Sequence, residues 1–429
     1  MKLRLLLLAA ILPSVRGDTA SLQLEIARDM LQPVKQQIRE EFYDPAFTGV
    51  DFDGVFRAAE QQLAGARSTS EVYAIVAQAV INLGDSHTRF APPPRPVLVK
   101  YGWALQIIGQ NINVQAVQPG SDAEKQGVKP NERVLAINGM SVNHDSLHVI
   151  RYLLVALNPQ AEVRVQLQDG TGAVREVTFA SEVKRLANNL TAQSVDLMRL
   201  TLEWESEQIK ARSTFRDLGP GVLYWKLSSF LDEDDVSAGL RKCKGYEHVI
   251  MDLRGNPGGL QEAMLDAIGA FLGRKADIGS LRERQRTEKL TARSRHSIAA
   301  KLYVLVDGGS SSAAEVFARA MQLEKRGVVL GDRSAGFVNQ SRGFWLSSGP
   351  SDRLVPFGVT VTTAALLMSD GQPLEKVGVT PDVWLVPPPK DLAAGHDPVL
   401  ATAAKMAGLS LTKAVAGEIS RSARQPSYD

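Results

Sequence analysis

The stretch Val304-Leu305-Val306-Asp307-Gly308-Gly309-Ser310-Ser311-Ser312-Ala313-Ala314-Glu315 decides how this chain folds. Its apolar opening, bounded by glycine, reads as a buried strand, and the run that follows, 313–323, reads as a helix. Strand, glycine turn and helix together form the repeating unit of a layered α/β protein. Ser312 sits at the mouth of the turn. A hydroxyl there lies beside the unpaired amides of a helix start, where an alkoxide and a tetrahedral oxyanion are both favoured. The run Ser312-Ala313-Ala314-Glu315 is equally a capping box that needs no chemistry, so both readings stand at this point.

Outward from this stretch the alternation continues. Strands are expected at 222–227, 248–253 and 328–330, with a helix at 260–272, which implies a mainly βαβ domain. Asp252-Leu253-Arg254-Gly255-Asn256-Pro257-Gly258-Gly259 leaves one of these strands through a glycine-rich loop. Free amides in such a loop can face a developing negative charge, although glycines also serve strand-to-helix turns for steric reasons alone. Residues 397–420 read as one or two further helices.

Toward the N-terminus the periodicity is helical. Apolar residues fall at helical spacing over 24–42, interrupted by Pro33, and again over 52–63; a capping box from Ser68 to Glu71 opens a third helix. This segment ends in Leu83-Gly84-Asp85-Ser86-His87-Thr88, and prolines at 92, 93, 94 and 96 make an extended linker. Between 101 and 183 short alternating strands at 104–108, 112–117, 134–137 and 163–167 mark a small β-rich module.

Composition excludes several classes. A chain of 429 residues has room for about three domains. Forty-nine basic against 47 acidic residues leave a net charge of +2, which is no footprint for nucleic acid. Cys243 stands alone, so no intramolecular disulfide is possible, and one cysteine with six histidines offers no zinc spacing. No metal or cofactor is expected. The opening MKLRLLLLAAILPSVRG reads as a cleaved signal peptide, with Val15 and Gly17 as small residues before a cut near Asp18. Its apolar run is shorter than the roughly 20 residues that span a bilayer. Export, to the periplasm or beyond, is the expectation.

Two resemblances sharpen this reading. Pro119-Gly120-Ser121-Asp122-Ala123-Glu124 followed by Ile137-Asn138-Gly139 resembles a PDZ domain of the bacterial protease kind. In such domains a peptide adds as an extra strand beside a helix, its terminal carboxylate held in a nest of backbone amides. That nest would be Tyr101, Gly102, Trp103 and Ala104.

Asp-Leu-Arg-x-Asn-Pro-Gly-Gly at 252–259, then the serine turn some fifty residues on, with the PDZ-like module upstream, closely resembles peptidase family S41, the carboxy-terminal processing peptidases and their tricorn-core relatives. The resemblance implies a layered α/β (ClpP/crotonase-like) peptidase core with an N-terminal helical domain and an inserted β-rich PDZ domain. The expected division is a signal peptide at 1–17, a helical domain at 18–95, the PDZ domain at 96–183, the peptidase domain at 184–390 and a helical tail at 391–429. It also implies Ser312 as nucleophile, with Gly258 and Ala313 as oxyanion donors. The processing branch uses a lysine base after the next strand, but Phe337 stands there, following Gly331-Asp332-Arg333-Ser334-Ala335-Gly336, and phenylalanine accepts no proton. The tricorn-like branch takes its base from the helical domain, which falls on His87. Glu375, just before Gly378-Val379-Thr380-Pro381-Asp382, would orient it, or Asp85 would. The implied function is a serine peptidase that cleaves exported proteins or peptides through an acyl-enzyme, with the PDZ domain holding substrate ends. The alternative is a catalytically inactive peptide-binding protein of the same fold, because of Phe337.

Overall fold

The computed structural model describes residues 17–95, 97–185, 212–293 and 296–423; the expected signal peptide therefore lies almost wholly outside the described residues. Helices α1 (Gly17–Arg28), α2 (Leu31–Glu41), α3 (Phe52–Gly65) and α4 (Thr69–Ile81) form the N-terminal unit. Pro33 falls in the first turn of α2, where its missing N–H costs no hydrogen bond, so the chain breaks before the proline and restarts around it. The Ser68 hydroxyl caps α4 by accepting the Glu71 amide at 3.2 Å. The apolar faces of these helices bury Val34, Ile38, Phe56, Val76 and Val80. Strand β1 (Arg89–Ala91) then leaves the unit.

The β-rich module is entered through β2 (Val97–Lys100). It holds β3 (Trp103–Ile108), β4 (Asn111–Val117), α5 (Asp122–Lys125), β5 (Arg133–Ile137), β6 (Met140–Ser141), α6 (Leu147–Tyr152), β7 (Glu162–Gln168) and β8 (Val174–Ala180). Its sheet runs β3-β4-β5-β7-β8, with β6 paired to β5, over a core that includes Trp103, Ile112, Val134, Val165 and Phe179. The chain leaves by β9 (Glu182–Arg185), antiparallel to β2, so entry and exit form one two-stranded stalk.

The third unit is built on two sheets. Strands β10 (Thr214–Gly219) and β11 (Val222–Lys226) precede α7 (Glu233–Cys243), β12 (His248–Asp252), α8 (Gln261–Leu272), β13 (Ala276–Glu283), β14 (Thr287–Ala292), β15 (Lys301–Val306), α9 (Ala313–Leu323) and β16 (Gly327–Gly331). After them come β17 (Gln340–Ser348), β18 (Val355–Met368), β19 (Val383–Trp384), α10 (Pro389–Ala393), α11 (Pro398–Met406) and α12 (Lys413–Ala423). One sheet runs β10-β11-β12-β15-β16-β19, parallel from β11 onward. Alternate residues of its strands face opposite layers. Trp225, Val249, Met251 and Val304 pack against α7, α8 and α9, whereas Tyr224, Ile250, Leu305 and Leu330 pack against α11 and α12.

The second sheet is antiparallel, β1-β18-β13-β14 with β17 also on β18. It joins the units: β18 buries Phe357, Val359 and Val361 against the N-terminal helices, and Ala364, Leu366 and Met368 in the core of the third unit. Pairing of β1 with β18, with Arg89 opposite Thr360, brings the end of the helical unit beside the third unit. Among the described residues no helix is long and apolar enough to cross a membrane.

Candidate active site

Strand β15 ends at Val306 and α9 begins at Ala313, so the intervening turn carries Ser312 to the mouth of a helix. Ser312 has φ 54° and ψ −122°, whereas an ordinary N-cap residue is extended. Such strain in a non-glycine residue persists only where the surroundings enforce it, and it clusters at active sites. The Ser312 amide donates to the Phe337 carbonyl at 2.7 Å and to Glu315 Oε2 at 3.1 Å. The capping box is present as well, so Ser312 both starts the helix and stands on a strained elbow.

The turn is fastened to the glycine loop of residues 253–259. Asp307 Oδ1 accepts the amides of Gly309 at 2.9 Å and Gly255 at 2.8 Å. The Ser310 hydroxyl donates to the Leu253 carbonyl at 2.8 Å, and the Ser311 amide to the Asn256 carbonyl at 2.9 Å. Gly258 packs directly on Ser312: a carbon added at its Cβ position would lie 2.6 Å from Ser312 Cβ and 2.8 Å from the Ala313 nitrogen. Its amide, however, is spent on Asn256 Oδ1 at 2.8 Å. Among the described residues, neither the Gly259 amide nor the Ala313 amide donates a hydrogen bond.

A second cluster forms around His87. Its Nδ1 lies 2.6 Å from the Ser86 hydroxyl oxygen. Ser86 also lies against the Glu375 carboxylate and favours its charged form. Glu375 Oε2 accepts the amides of Val338 at 3.0 Å and Asn339 at 3.3 Å, while its buried Oε1 lacks a fully formed hydrogen bond. Burial raises the Glu375 pKa against these bonds. Asp85 plays a different part: its Oδ1 accepts the amides of His87 at 3.1 Å and Thr88 at 2.8 Å together with the Thr362 hydroxyl, which shapes the turn and leaves the ring to Ser86. Burial, then the nearby Arg89 guanidinium, push the His87 pKa down to about 4, with Asp85 opposing. The imidazole is therefore neutral near pH 7. With its single proton on Nδ1, facing Ser86, such a ring would have Nε2 free to accept a second.

The two clusters meet on the loop 334–339. Glu315 accepts the Ser334 hydroxyl at 2.6 Å and the amides of Gly336 at 2.7 Å and Phe337 at 2.8 Å; Glu375 takes the next two amides. Burial nevertheless raises the Glu315 pKa to about 7. Among the described residues no hydrogen bond joins His87 to Ser312 directly, which is common before substrate tightens a site. Phe337 contributes its backbone, and its ring meets His148 of α6 edge-on at 5.1 Å. Sequence reasoning reads Glu315 as the end of a capping box but misses its hold on the loop at Ser334, Gly336 and Phe337, the place of Ser86 and the role of Asn256. The local signal for Ser86 is a hydroxyl next to His87 in the sequence.

In the β-rich module Tyr101, Gly102, Trp103 and Ala104 are all buried. Gly102 has φ +73°, and a carbon added there would lie 2.5 Å from Ser121 Cβ, so the turn requires glycine. The Tyr101 hydroxyl donates to the Leu154 carbonyl at 3.2 Å and accepts the Gln160 amide at 2.9 Å. Among the described residues β3 pairs only with β4, which leaves its other edge open beside α6. Across that gap Arg151 donates to the Leu105 carbonyl at 3.1 Å.

The model of peptidase family S41 matches residues 221–385, and that of a PDZ domain matches 114–167. A carboxyl-terminal-processing protease of Synechocystis is 25% identical over 331 residues, covering 74% of this chain and 71% of that protein. The carboxy-terminal-processing protease of Bartonella bacilliformis is 31% identical over 319 residues, covering 70% and 64%. Among solved structures, mature CPAF superposes with a TM-score of 0.63 at 12% identity over 87% of this chain and 94% of that one. The photosystem II D1 C-terminal processing protease gives 0.52 at 22% identity over 84% and 93%. These last two likenesses are likenesses of fold. With a strained serine on the matched α/β domain and a PDZ domain ahead of it, residues 221–385 form a peptidase family S41 domain and the chain is a serine peptidase.

Proposed function

We propose that this peptidase cleaves exported proteins or peptides near their ends, with Ser312 as nucleophile, His87 as base and Glu375 orienting His87 through Ser86. The observation that carries the reading is the Ser86 hydroxyl set 2.6 Å from His87 Nδ1 and against Glu375. Nδ1–H donates to Ser86, whose own hydroxyl proton faces Glu375, and this leaves Nε2 as the acceptor. His87 takes the Ser312 proton as Oγ attacks the scissile carbonyl, then gives it to the leaving amine. Water enters by the reverse path and releases the acyl group.

The negative oxygen formed in each step is met by the Ala313 amide and the turn of Gly258 and Gly259. Because the Gly258 N–H is bonded to Asn256, the neighbouring Gly259 amide is the second donor in this reading. The edge of β3 beside α6 takes the extended end of the substrate, with residues 101–104 at the carboxylate. The reading of residues 1–17 as a signal peptide supports a site of action outside the cytoplasm.

A fluorophosphonate probe tests the core of this reading. Wild type should label and Ser312→Ala should not; His87→Gln should lose about a thousandfold in kcat/KM. Labelling that survives in Ser312→Ala would remove the nucleophile, and full activity in His87→Gln would remove the base.

A further inference from the structure

Beneath the glycine loop lies a buried ionic cluster. The Arg254 guanidinium donates through Nε to Asp252 Oδ1 at 3.0 Å and through Nη2 to Asp252 Oδ2 at 2.6 Å. It also grips Asp397, through Nη1 to Oδ1 at 3.1 Å and Nη2 to Oδ2 at 2.8 Å. The Tyr224 hydroxyl donates to Asp252 Oδ2 at 2.8 Å, and Lys226 Nζ donates to the Arg254 carbonyl. Arg254, Asp252 and Asp397 are 8%, 0% and 5% exposed. Desolvation of buried charges offsets most of their attraction, so stability alone is a weak reason for such a cluster.

It fixes the entry to the oxyanion loop. Asp252 closes β12 and Arg254 follows two residues later, ahead of Gly255, Asn256 and the two glycines on the nucleophile. Asp397 belongs to another part of the chain: as N-cap of α11 it accepts the amides of Val399 at 3.1 Å and Leu400 at 2.9 Å. Helix α11 is anchored on the far face of the parallel sheet by Val399, Leu400, Ala403 and Ala404. One carboxylate thus ties a docked helix, beyond the residues 221–385 matched to the family, to the first turn of the catalytic loop.

We propose that Asp397 is a positioning residue for catalysis, holding the Arg254 side chain so that the amides of the 258–259 turn and Ala313 keep their spacing around the carbonyl oxygen. The proposal rests on the oxyanion reading given above. Side-chain fork and carboxylate match in two-bonded geometry, which fixes direction as well as distance. Displacement of the loop by about 1 Å is enough to lose up to a hundredfold in rate.

The test uses the full-length enzyme. Asparagine caps helices as well as aspartate but offers Arg254 no charge, whereas glutamate keeps the charge and caps poorly. If Asp397 positions the loop, Asp397→Asn should lower kcat about tenfold or more with KM within about twofold, and a peptide aldehyde should lose affinity by the same factor as kcat/KM. Asp397→Glu should retain more kcat than Asp397→Asn, even where thermal unfolding shows it less stable. A purely capping role predicts the reverse order, and that order, or Asp397→Asn with kcat and aldehyde inhibition at wild-type values, overturns the proposal. Should Asp397→Asn not fold, Asp397→Ser, another capping residue without charge, repeats the comparison. Activity persisting in Ser312→Ala would instead sink the nucleophile reading.

Discussion

His87 holds its imidazole where positive charge is costly, and in its proposed role as base it would set the pH behaviour of the enzyme. A base must be neutral to act, and burial together with Arg89 brings its pKa from 6.5 to about 4. The acid limb of kcat/KM should therefore lie near pH 4, and Arg89→Gln should move it upward, as a rate profile from about pH 3.5 to 8 would show. A wild-type limb at 6.5 would contradict the burial argument. The same shift links to stability with a fixed sign. The unfolded chain binds the His87 proton near 6.5 and the folded one near 4, so this share of stability is present above 6.5 and lost as pH falls toward 4. Glu315 runs the other way, because its folded pKa of about 7 exceeds the ordinary 4.5. Its share is present below 4.5 and fades as pH rises through 7. Ser312 could be read from sequence because a glycine turn between strand and helix is a local pattern. The sequence offers Glu375 or Asp85 to orient His87, but not the place of Ser86 against both the ring and Glu375, because those groups meet only after β1 has paired with β18.

Edge strand β3 and helix α6 border the groove proposed to take the substrate end. A peptide adding to β3 needs the Leu105 carbonyl region, and Arg151 already donates to that oxygen. Displacing one such bond costs roughly 0.5–1.5 kcal/mol, so Arg151→Ala should tighten peptide binding about threefold to tenfold. Fluorescence anisotropy of a dye-labelled peptide with a free carboxyl terminus, on a Ser312→Ala background that prevents cleavage, would measure it. Weaker binding would mean that Arg151 holds the peptide rather than the groove. The strands of this module were legible because one face of each is buried, which imposes period-two alternation. The long β17–β18 hairpin and the β13–β14 pair were not read. Strand β18 is buried against two different cores along its 14 residues, which erases simple alternation.

Across the whole molecule, the PDZ domain is docked on the third unit beside the Ser312 turn rather than tethered next to it. The Gly109 amide donates to Asp332 Oδ2 at 2.5 Å, and His148 meets Phe337. Gly308, in the turn before Ser312, touches the module so closely that an added carbon would run into Ile107 and come within 3.2 Å of His144. Gly308→Ala should therefore press the domains apart, lowering the unfolding midpoint by a few degrees and speeding trypsin cleavage near the β2–β9 stalk. Unchanged proteolysis and midpoint would show that the contact yields freely. The sequence by itself determined the α/β alternation, the helical and β-rich units ahead of it, and Ser312 on its turn, because periodicity, caps and glycine turns act over a few residues. Only the tertiary structure decided that Asn256 occupies the Gly258 amide, that Ser86 stands between His87 and Glu375, and that Asp397 grips Arg254. Those partners come from distant segments or from the precise turn of a loop, and a hydrogen bond is assigned only when the folded chain has fixed both its ends.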